Sequence, residues 1–211
     1  MKKLFSDLIV LNNNNLANNT YVLINNNQCV IIDPSTYENE LKSLIDENKY
    51  QCVGILLTHG HFDHIMCAFN LANYFGIKIY ASANEKEVIN KYSCAKELFG
   101  INAKIYEEYV TYFNGNNLEV KNFKFNILHT PGHTVGGVIY IYHNYVFSGD
   151  TLFIYDVGRW DLPTGDPREL IKSLKLIKSA VHDDQYILCG HDDKYVKFKE
   201  VKQLNRYLKQ V

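Results

Sequence analysis

Short apolar runs alternate with polar, Asn-rich or Gly-containing segments along the chain, and this pattern predicts many short strands with a few amphipathic helices. TYVLINNNQCVIIDPS at 20–35 holds two β-branched runs separated by three asparagines, which predicts a β-hairpin. The continuously apolar run CVGILLT at 52–58 is typical of a strand buried on both faces. Similar apolar runs predict further strands at 77–82, 118–120, 123–130, 137–144, 145–150 and 185–191.

Apolar residues at helical spacing predict the helices. The clearest case has Leu41, Leu44 and Ile45 on one face, and another begins with Asp166 as N-cap and Pro167 in its first turn. The strands occur in two batches with helices between or after them, which predicts two mixed sheets packed together with helices outside. Because no repeat or linker interrupts the pattern, we expect a single α/β domain over 1–211. The predicted helices span 38–48, 65–75, 83–92, 166–181 and 197–209.

The composition excludes several classes of function. The 22 Lys and Arg residues against 23 Asp and Glu give a net charge of -1, so no broad basic surface exists for nucleic acid, and the Lys-rich tail at 194–209 is expected to be the solvated face of a helix. No apolar run reaches the roughly 18 residues of a membrane span, and no cleavage site follows MKKLFSDLIV. Five cysteines without a C-x-x-C pair indicate free thiols. We expect a cytoplasmic protein with neither nucleic-acid nor membrane partners.

THGHFDH at 58–64 places three of the eight histidines and an aspartate within six positions, directly behind a predicted strand. A polar loop could contain them without function, so the interpretation depends on partners elsewhere. His133, Asp150 and His191 follow predicted strands in the same way. Strand ends at one edge of a sheet hold side chains rigidly, and neutral imidazoles with carboxylates suit zinc, iron or manganese. We therefore expect these residues to form one metal site.

Five short segments together resemble the metallo-β-lactamase superfamily, and the resemblance covers nearly the whole chain. It implies an αββα four-layer sandwich with metals at one edge. Within the superfamily, the residues 149–166 are most similar to small glyoxalase II-like hydrolases, which cleave thioesters such as hydroxyacylglutathione. The five segments are IIDP at 31–34, THGHFDH at 58–64, TPGHT at 130–134, GDTLF at 149–153 and GH at 190–191.

The resemblance also implies two divalent metal ions and the residues that hold them. Zinc is the expected metal, with iron or manganese as alternatives. The implied ligands are His59, His61 and His133 for the first ion, Asp63, His64 and His191 for the second, and Asp150 between them.

Two cations at such a site can lower the pKa of a bridging water and polarise the carbonyl group of a thioester. Asp150 and Asp63 are therefore the expected catalytic residues, with Asp63 orienting the attacking hydroxide as well as binding metal. Asp63 could also serve as the N-cap of the helix that is predicted to begin near Ile65.

The resemblance implies that Arg159 contacts the thiol carrier of a small-molecule thioester, because glyoxalase II enzymes have a basic residue shortly after the GDTLF segment. A salt bridge to Asp161 is the alternative for Arg159. Trp160, the single tryptophan, is expected to line the same pocket. Full-length glyoxalase II enzymes continue with a helical domain after the last ligand, whereas 20 residues follow His191 here. We expect an open site with low selectivity for the thiol carrier, in a monomer or homodimer.

Three other functions compete with thioester hydrolysis. A persulfide dioxygenase would use one iron on His59, His133 and Asp150, but DLPTGD at 161–166 favours the hydrolases. A β-lactamase is disfavoured because Asp150 stands where the best-known zinc enzymes have a cysteine. A metal-binding protein without catalysis would not need so complete a ligand set.

Overall fold

The computed structural model describes residues 1–12, 16–92 and 105–211, and its strands form two sheets. The first sheet contains, in spatial order, Lys2–Phe5 (β1), Leu8–Leu11 (β2), Thr20–Asn25 (β3), Gln28–Ile32 (β4), Gln51–Leu56 (β5), Ile79–Ser82 (β6) and Val110–Phe113 (β7). The second sheet has the spatial order β12-β11-β10-β9-β8 and contains Asn117–Val120 (β8), Phe123–His129 (β9), Val138–Tyr142 (β10), Tyr145–Gly149 (β11) and Tyr186–Cys189 (β12).

Both sheets are mixed, as predicted. Strands β1 to β4 pair antiparallel and β4 to β7 pair parallel, while the second sheet is antiparallel except for the parallel pair β11 and β12. The α-helices are Glu38–Glu47 (α1), Phe62–Ile65 (α2), Ala68–Phe75 (α3), Pro167–Ala180 (α4) and Phe198–Leu204 (α5).

The continuous apolar runs are explained by burial on both faces of each sheet. In β10, Val138 and Tyr140 point to the apolar cluster between the two sheets, whereas Ile139 and Ile141 point to the cluster beneath α4 and α5. This alternation follows from the two-residue repeat of a strand. The first sheet packs in the same way against α1 and α3. The layers are thus helix, sheet, sheet and helix, which confirms the αββα sandwich.

Several element boundaries differ from the sequence predictions. The helix predicted at 65–75 is two helices, because the Cys67 amide turns to the Pro34 carbonyl (3.5 Å) instead of continuing α2. The segment 83–92 forms a 3-10 turn at Ala83–Glu85 and a π-helical turn at Val88–Tyr92. The last helix ends at Leu204, since the buried Asn205 side chain accepts hydrogen bonds from the amides of residues 207 and 208.

The N-terminal strands β1 and β2 and the edge strand β7 were not predicted from the sequence. Cys29, Cys52, Cys67 and Cys189 are buried free thiols, in agreement with the sequence interpretation, and position 94 lies outside the described residues. Among the described helices, none has the length and apolar character needed to cross a bilayer.

Candidate metal centre

The expected ligand residues converge at one edge of the sandwich, where several strands end. His59 and His61 lie in the loop after β5, and His64 lies in α2 directly behind them. Asp150 follows β11 immediately, and His191 comes two residues after the parallel neighbour β12. Asp63 lies in α2 beside His64, and His133 lies in the turn between β9 and β10 of the second sheet. Parallel strands bring their carboxyl ends to the same edge, which is why residues so distant in sequence meet here.

Three buried histidines form what we call the His59 group: His59, His61 and His133, each exposed by no more than 4%. Nδ1 of His61 lies 2.9 Å from Nε2 of His133, which in turn lies 3.3 Å from Nε2 of His59. Three ring nitrogens therefore face one point, an arrangement that suits a tetrahedral metal ion with one open position.

Hydrogen bonds on the outer side of the rings decide which nitrogen faces this point. Nδ1 of His133 donates to the carbonyl oxygen of Arg159 at 2.6 Å, and this leaves Nε2 with its lone pair. Nδ1 of His59 lies 3.1 Å from Oγ1 of Thr58, whose hydroxyl donates to Asp33 at 2.6 Å. Such partners set the tautomer and the orientation of metal-binding histidines.

Asp63, His64 and His191 form a second set, the His191 group, whose ligand atoms also lie close together. Oδ2 of Asp63 is 3.1 Å from Nε2 of His191 and 3.6 Å from Nε2 of His64. Nδ1 of His64 contacts Oδ2 of Asp33 at 3.0 Å, and Nδ1 of His191 donates to the carbonyl oxygen of Ala17 at 3.1 Å. Both rings thereby direct Nε2 inward.

Asp150 lies between the two groups. Its Oδ2 is 3.6 Å from Nε2 of His133 and 3.4 Å from Nε2 of His191, and its Oδ1 is 3.4 Å from Nε2 of His64. This close packing requires a glycine at position 190, because a Cβ atom on Gly190 would lie 2.0 Å from Oδ1 of Asp150. The carboxylate is therefore placed to contact an ion in either group.

The His59 group is electrically neutral without metal. Burial lowers the pKa of His61 to about 3 and that of His59 well below its usual value, and the neighbouring histidines act in the same direction. Burial also lowers the pKa of His133, although Asp150 opposes the shift. These imidazoles keep their lone pairs across the neutral range, as metal ligands must.

The His191 group and Asp150 are charged instead. Burial disfavours the charged form of His191, but Asp150 and Asp63 outweigh it and raise the pKa of His191 to about 10. The same two carboxylates raise the pKa of His64 against its burial. Burial would raise the pKa of Asp150, yet His191 and His64 hold it well below its usual value.

The donor set fits divalent metal ions. Oδ1 of Asp150, which faces the centre, is buried and has no hydrogen-bond partner among the described residues, and such an orphaned polar atom is unusual in a protein interior. Ring nitrogens face one another at 2.9 to 3.4 Å in both groups, a spacing compatible with nitrogens that share one tetrahedral ion at about 2.0–2.1 Å. Imidazole nitrogens with carboxylate oxygens are ligands for zinc, iron and manganese.

Asp63 is not the N-cap of the helix. The helix begins at Phe62, its N-cap is His61, and Asp63 occupies the second helical position with its carboxylate directed at His191. The cap interpretation is therefore wrong, because the helix begins three residues earlier than the apolar pattern predicts.

Arg159 and Trp160 lie beside the centre but not within it. The guanidinium group of Arg159 forms two hydrogen bonds with Asp161, at 2.7 and 2.8 Å, so the salt bridge considered as an alternative is present. The indole of Trp160 packs edge-to-face on Tyr207 at 5.9 Å. Both residues line one open cleft, together with Asp156, Val157, Asp161, Arg206 and Tyr207.

Sequence reasoning missed two buried carboxylates that organise the centre. Asp33 accepts hydrogen bonds from the amide and hydroxyl of Thr58 at 2.8 and 2.6 Å and contacts His64. Its segment, IIDP, was part of the family resemblance, but no role was assigned to it. Glu85 accepts hydrogen bonds from the loops on either side of the His59 group. It carries no sequence signal, because it lies in a segment that the pattern describes only as helical.

Comparisons with known proteins agree with this geometry. A family model described as the metallo-beta-lactamase superfamily matches residues 13–191. The chain is 35% identical over 184 residues to hydroxyacylglutathione hydrolase GloC of Haemophilus influenzae, covering 84% of this chain and 86% of the relative. The crystal structure of BLEG-1 B3 metallo-beta-lactamase is similar with a TM-score of 0.87 at 28% identity, covering 95% of this chain and 99% of that one. A di-iron-bound form of TTHA1623 has a TM-score of 0.84 at 27% identity, covering 95% and 100%.

The family match spans most of the chain, and it includes the strands that position both ligand groups. The relative with a hydrolase name and the solved structures with the same fold support hydrolytic chemistry in general. The chain belongs to the metallo-β-lactamase superfamily.

Proposed function

We propose that the protein is a metal-dependent hydrolase that cleaves small thioesters of the hydroxyacylglutathione kind, with zinc as the first choice of metal and iron or manganese as alternatives. The observation that carries the proposal is the position of Asp150, within 3.6 Å of ligand atoms in both groups. A carboxylate placed between two groups of possible ligands favours a pair of metal ions over a single one. The similarity to a hydroxyacylglutathione hydrolase supports the substrate class.

When bound at such paired sites, two divalent cations lower the pKa of water toward neutrality and polarise a carbonyl group. The protein's own contribution is to hold the ligands. Asp150 keeps the two groups at a fixed separation, and Asp63, with its side chain 19% exposed, is accessible to orient the attacking hydroxide. A thiolate is a good leaving group, so the reaction needs no strong general acid.

The cleft lined by Arg159 and Trp160 is the proposed binding surface for the thiol carrier. It adjoins the centre directly, because the backbone carbonyl of Arg159 accepts a hydrogen bond from His133. The guanidinium group is exposed and paired with Asp161, so an anionic carrier would compete with the Asp161 carboxylate for the guanidinium group.

The proposal also covers the protein as a whole. We propose a single domain that acts on a small-molecule substrate in the cytoplasm, as a monomer or homodimer, with neither nucleic-acid nor membrane partners.

Similarity to BLEG-1 favours β-lactam hydrolysis as the second candidate function. A panel assay separates the candidates: purified, metal-loaded protein is tested with lactoylglutathione, a simpler acyl thioester, a chromogenic β-lactam, a phosphodiester and glutathione persulfide. We expect turnover of the thioesters and two metal ions per chain. Turnover confined to any of the other three substrates would contradict the proposal. One iron per chain with oxygen consumption would instead indicate the dioxygenase, and metal binding without any turnover would indicate a non-catalytic protein.

A matched pair of variants links the activity to the centre. His133→Ala removes a proposed ligand and should abolish thioester turnover. His129→Ala removes a histidine four positions earlier whose Nε2 bonds to the carbonyl oxygen of Gly115, 3.2 Å away, and should leave turnover near the wild-type value.

A further inference from the structure

Glu85 is a buried acid at the border of the metal centre that the proposed chemistry does not use. It ends the short 3-10 turn after β6 and has no exposed surface. Its Oε2 accepts a hydrogen bond from the amide of Gly60 at 2.7 Å. Its Oε1 accepts one from the hydroxyl of Thr134 at 2.6 Å and one from the amide of Gly136 at 2.7 Å.

These three donors belong to the two loops that build the His59 group. Gly60 lies between His59 and His61, and Thr134 directly follows His133. One rigid carboxylate therefore spans the gap between a loop of the first sheet and a turn of the second sheet. No other contact of this kind joins these loops through a charged side chain among the residues that the structure describes.

The backbones on both sides are shaped to approach Glu85. A Cβ atom on Gly136 would lie 2.6 Å from the Glu85 amide nitrogen, and one on Gly60 would lie 3.1 Å from Oε2. Such close approach is possible because both positions are glycine. All three hydrogen-bonding groups that face the Glu85 carboxylate are donors, so the side chain at position 85 must offer two acceptor oxygens.

We propose that Glu85 is a positioning residue that sets the separation between the His59–His61 loop and the His133 turn, and thereby the metal affinity of the His59 group. The inference rests on the proposed assignment of these histidines as ligands. Nδ1 of His61 and Nε2 of His133 lie 2.9 Å apart across this gap, so a shift of either loop by a few tenths of an ångström changes the fit to an ion. Burial raises the pKa of Glu85 to about 7, and the three hydrogen bonds oppose that shift.

The test measures Co²⁺ binding with a competing chelator, together with the visible absorption spectrum of the bound ion, which reports its ligand geometry. In Glu85→Gln the shape is kept, but an NH₂ group replaces one acceptor oxygen and leaves at least one backbone donor without a partner. We expect the affinity of the His59 group for Co²⁺ to fall by about tenfold, the effect typical of supporting residues around a metal, with an altered spectrum. Glu85→Ala should lower the affinity further.

Gln185→Ala is the matched control. Gln185 is also a buried polar side chain that joins two loops, through hydrogen bonds to the His182 amide and the His143 carbonyl oxygen, at the end of β12 away from His191. It should lose stability without losing Co²⁺ affinity. If a Glu85 variant does not fold, Thr134→Val decides instead, since it removes one donor and keeps the carboxylate; we then expect a loss of about threefold.

Each result is decisive. Unchanged Co²⁺ affinity and spectrum in folded Glu85→Gln, or in Thr134→Val where that variant decides, would overturn the inference, as would an equal loss in Gln185→Ala. His133→Ala distinguishes this failure from failure of the proposed function: if it binds Co²⁺ like the wild type, the ligand assignment itself is wrong. If His133→Ala loses an ion and Glu85→Gln does not, only the role of Glu85 is rejected.

Discussion

The His59 group and the His191 group hold similar ligand atoms in different surroundings. His59, His61 and His133 are almost completely buried, whereas the side chains of His191 and Asp63 are 27% and 19% exposed. The pKa of His61 is lowered to about 3, while that of His191 is raised to about 10. The first group is thus a neutral, preformed set of ring nitrogens, and the second is a partly exposed set whose charges compensate one another.

The difference follows from where the chain places each group. The buried histidines lie in loops that meet between the two sheets. Nδ1 of His59 contacts the buried Thr58, and the buried Glu85 accepts hydrogen bonds from the loops themselves. In the His191 group, His64 is buried and supported by Asp33, whereas the partly exposed His191 is bonded on its outer side to the backbone carbonyl of Ala17. An ion in the second group should therefore exchange with solvent more readily. Asp150 is the element that couples the two groups.

The largest expected effect comes from removing that coupling. Asp150→Ala deletes a carboxylate within 3.6 Å of both groups, so we expect metal occupancy to fall in each and kcat/KM to fall by roughly a thousandfold or more, since several kcal/mol of charge stabilisation are lost. Metal analysis measures the occupancy of each group, and a thioester assay measures kcat/KM. Asp166→Ala is the control, because it removes an aspartate that caps α4 and should affect stability alone. Near-normal turnover with two bound ions in Asp150→Ala would rule out the bridging role.

A variant with an intermediate effect should distinguish metal binding by the His191 group from metal binding by the His59 group. Asp63→Ala removes a ligand from the His191 group alone, so we expect one ion per chain to remain, held by the His59 group. In the wild type, graded treatment with a chelator should remove the ions in two steps, with the more exposed one leaving first. His61→Ala is the matched variant on the other side and should lower the affinity of the buried site. Simultaneous loss of both ions from Asp63→Ala would show that the groups are not independent.

The comparison also shows which features can be predicted from sequence. His59, His61 and His64 were recognisable because a dense cluster follows a buried strand, and the single ligands His133 and His191 gained meaning from that cluster. The apolar runs predicted two mixed sheets with helices outside, since strands buried on both faces have continuous apolar sequence, and the family resemblance implied the αββα order of the layers. These signals depend on spacing within one segment.

The features that were missed depend on contacts between segments. Asp33 and Glu85 are single acids whose function arises only when other loops direct donors at them, and no local spacing reveals this. The break between α2 and α3 arises from a contact with Pro34 that is distant in sequence. Strands β1 and β2 lie close together at the N-terminus, where Ser6 and Asp7 interrupt the apolar run. Tertiary contacts therefore determine the roles of single residues and the boundaries of elements that the local sequence pattern does not specify.

The smallest expected effect lies outside both groups, at Arg159. Its side chain is 57% exposed and already paired with Asp161, and the backbone carbonyl that accepts a hydrogen bond from His133 stays in place on substitution. An exposed ion pair contributes up to about 1 kcal/mol, so Arg159→Ala should raise KM for an anionic thioester by no more than about fivefold and leave kcat unchanged. A higher KM with an unchanged kcat would indicate that Arg159 contributes equally to binding the substrate and the transition state.

Asp161→Asn sharpens this prediction. It weakens the competing salt bridge while keeping the arginine, so KM should decrease if the carrier binds the guanidinium group. The two variants should therefore shift KM in opposite directions for a carrier with a carboxylate, and should have no effect with an uncharged carrier. Identical KM values in all three proteins would assign Arg159 to the salt bridge alone. A large decrease in kcat for Arg159→Ala would instead mean that its loss displaces the carbonyl that orients His133, and would connect this exposed position to the buried group.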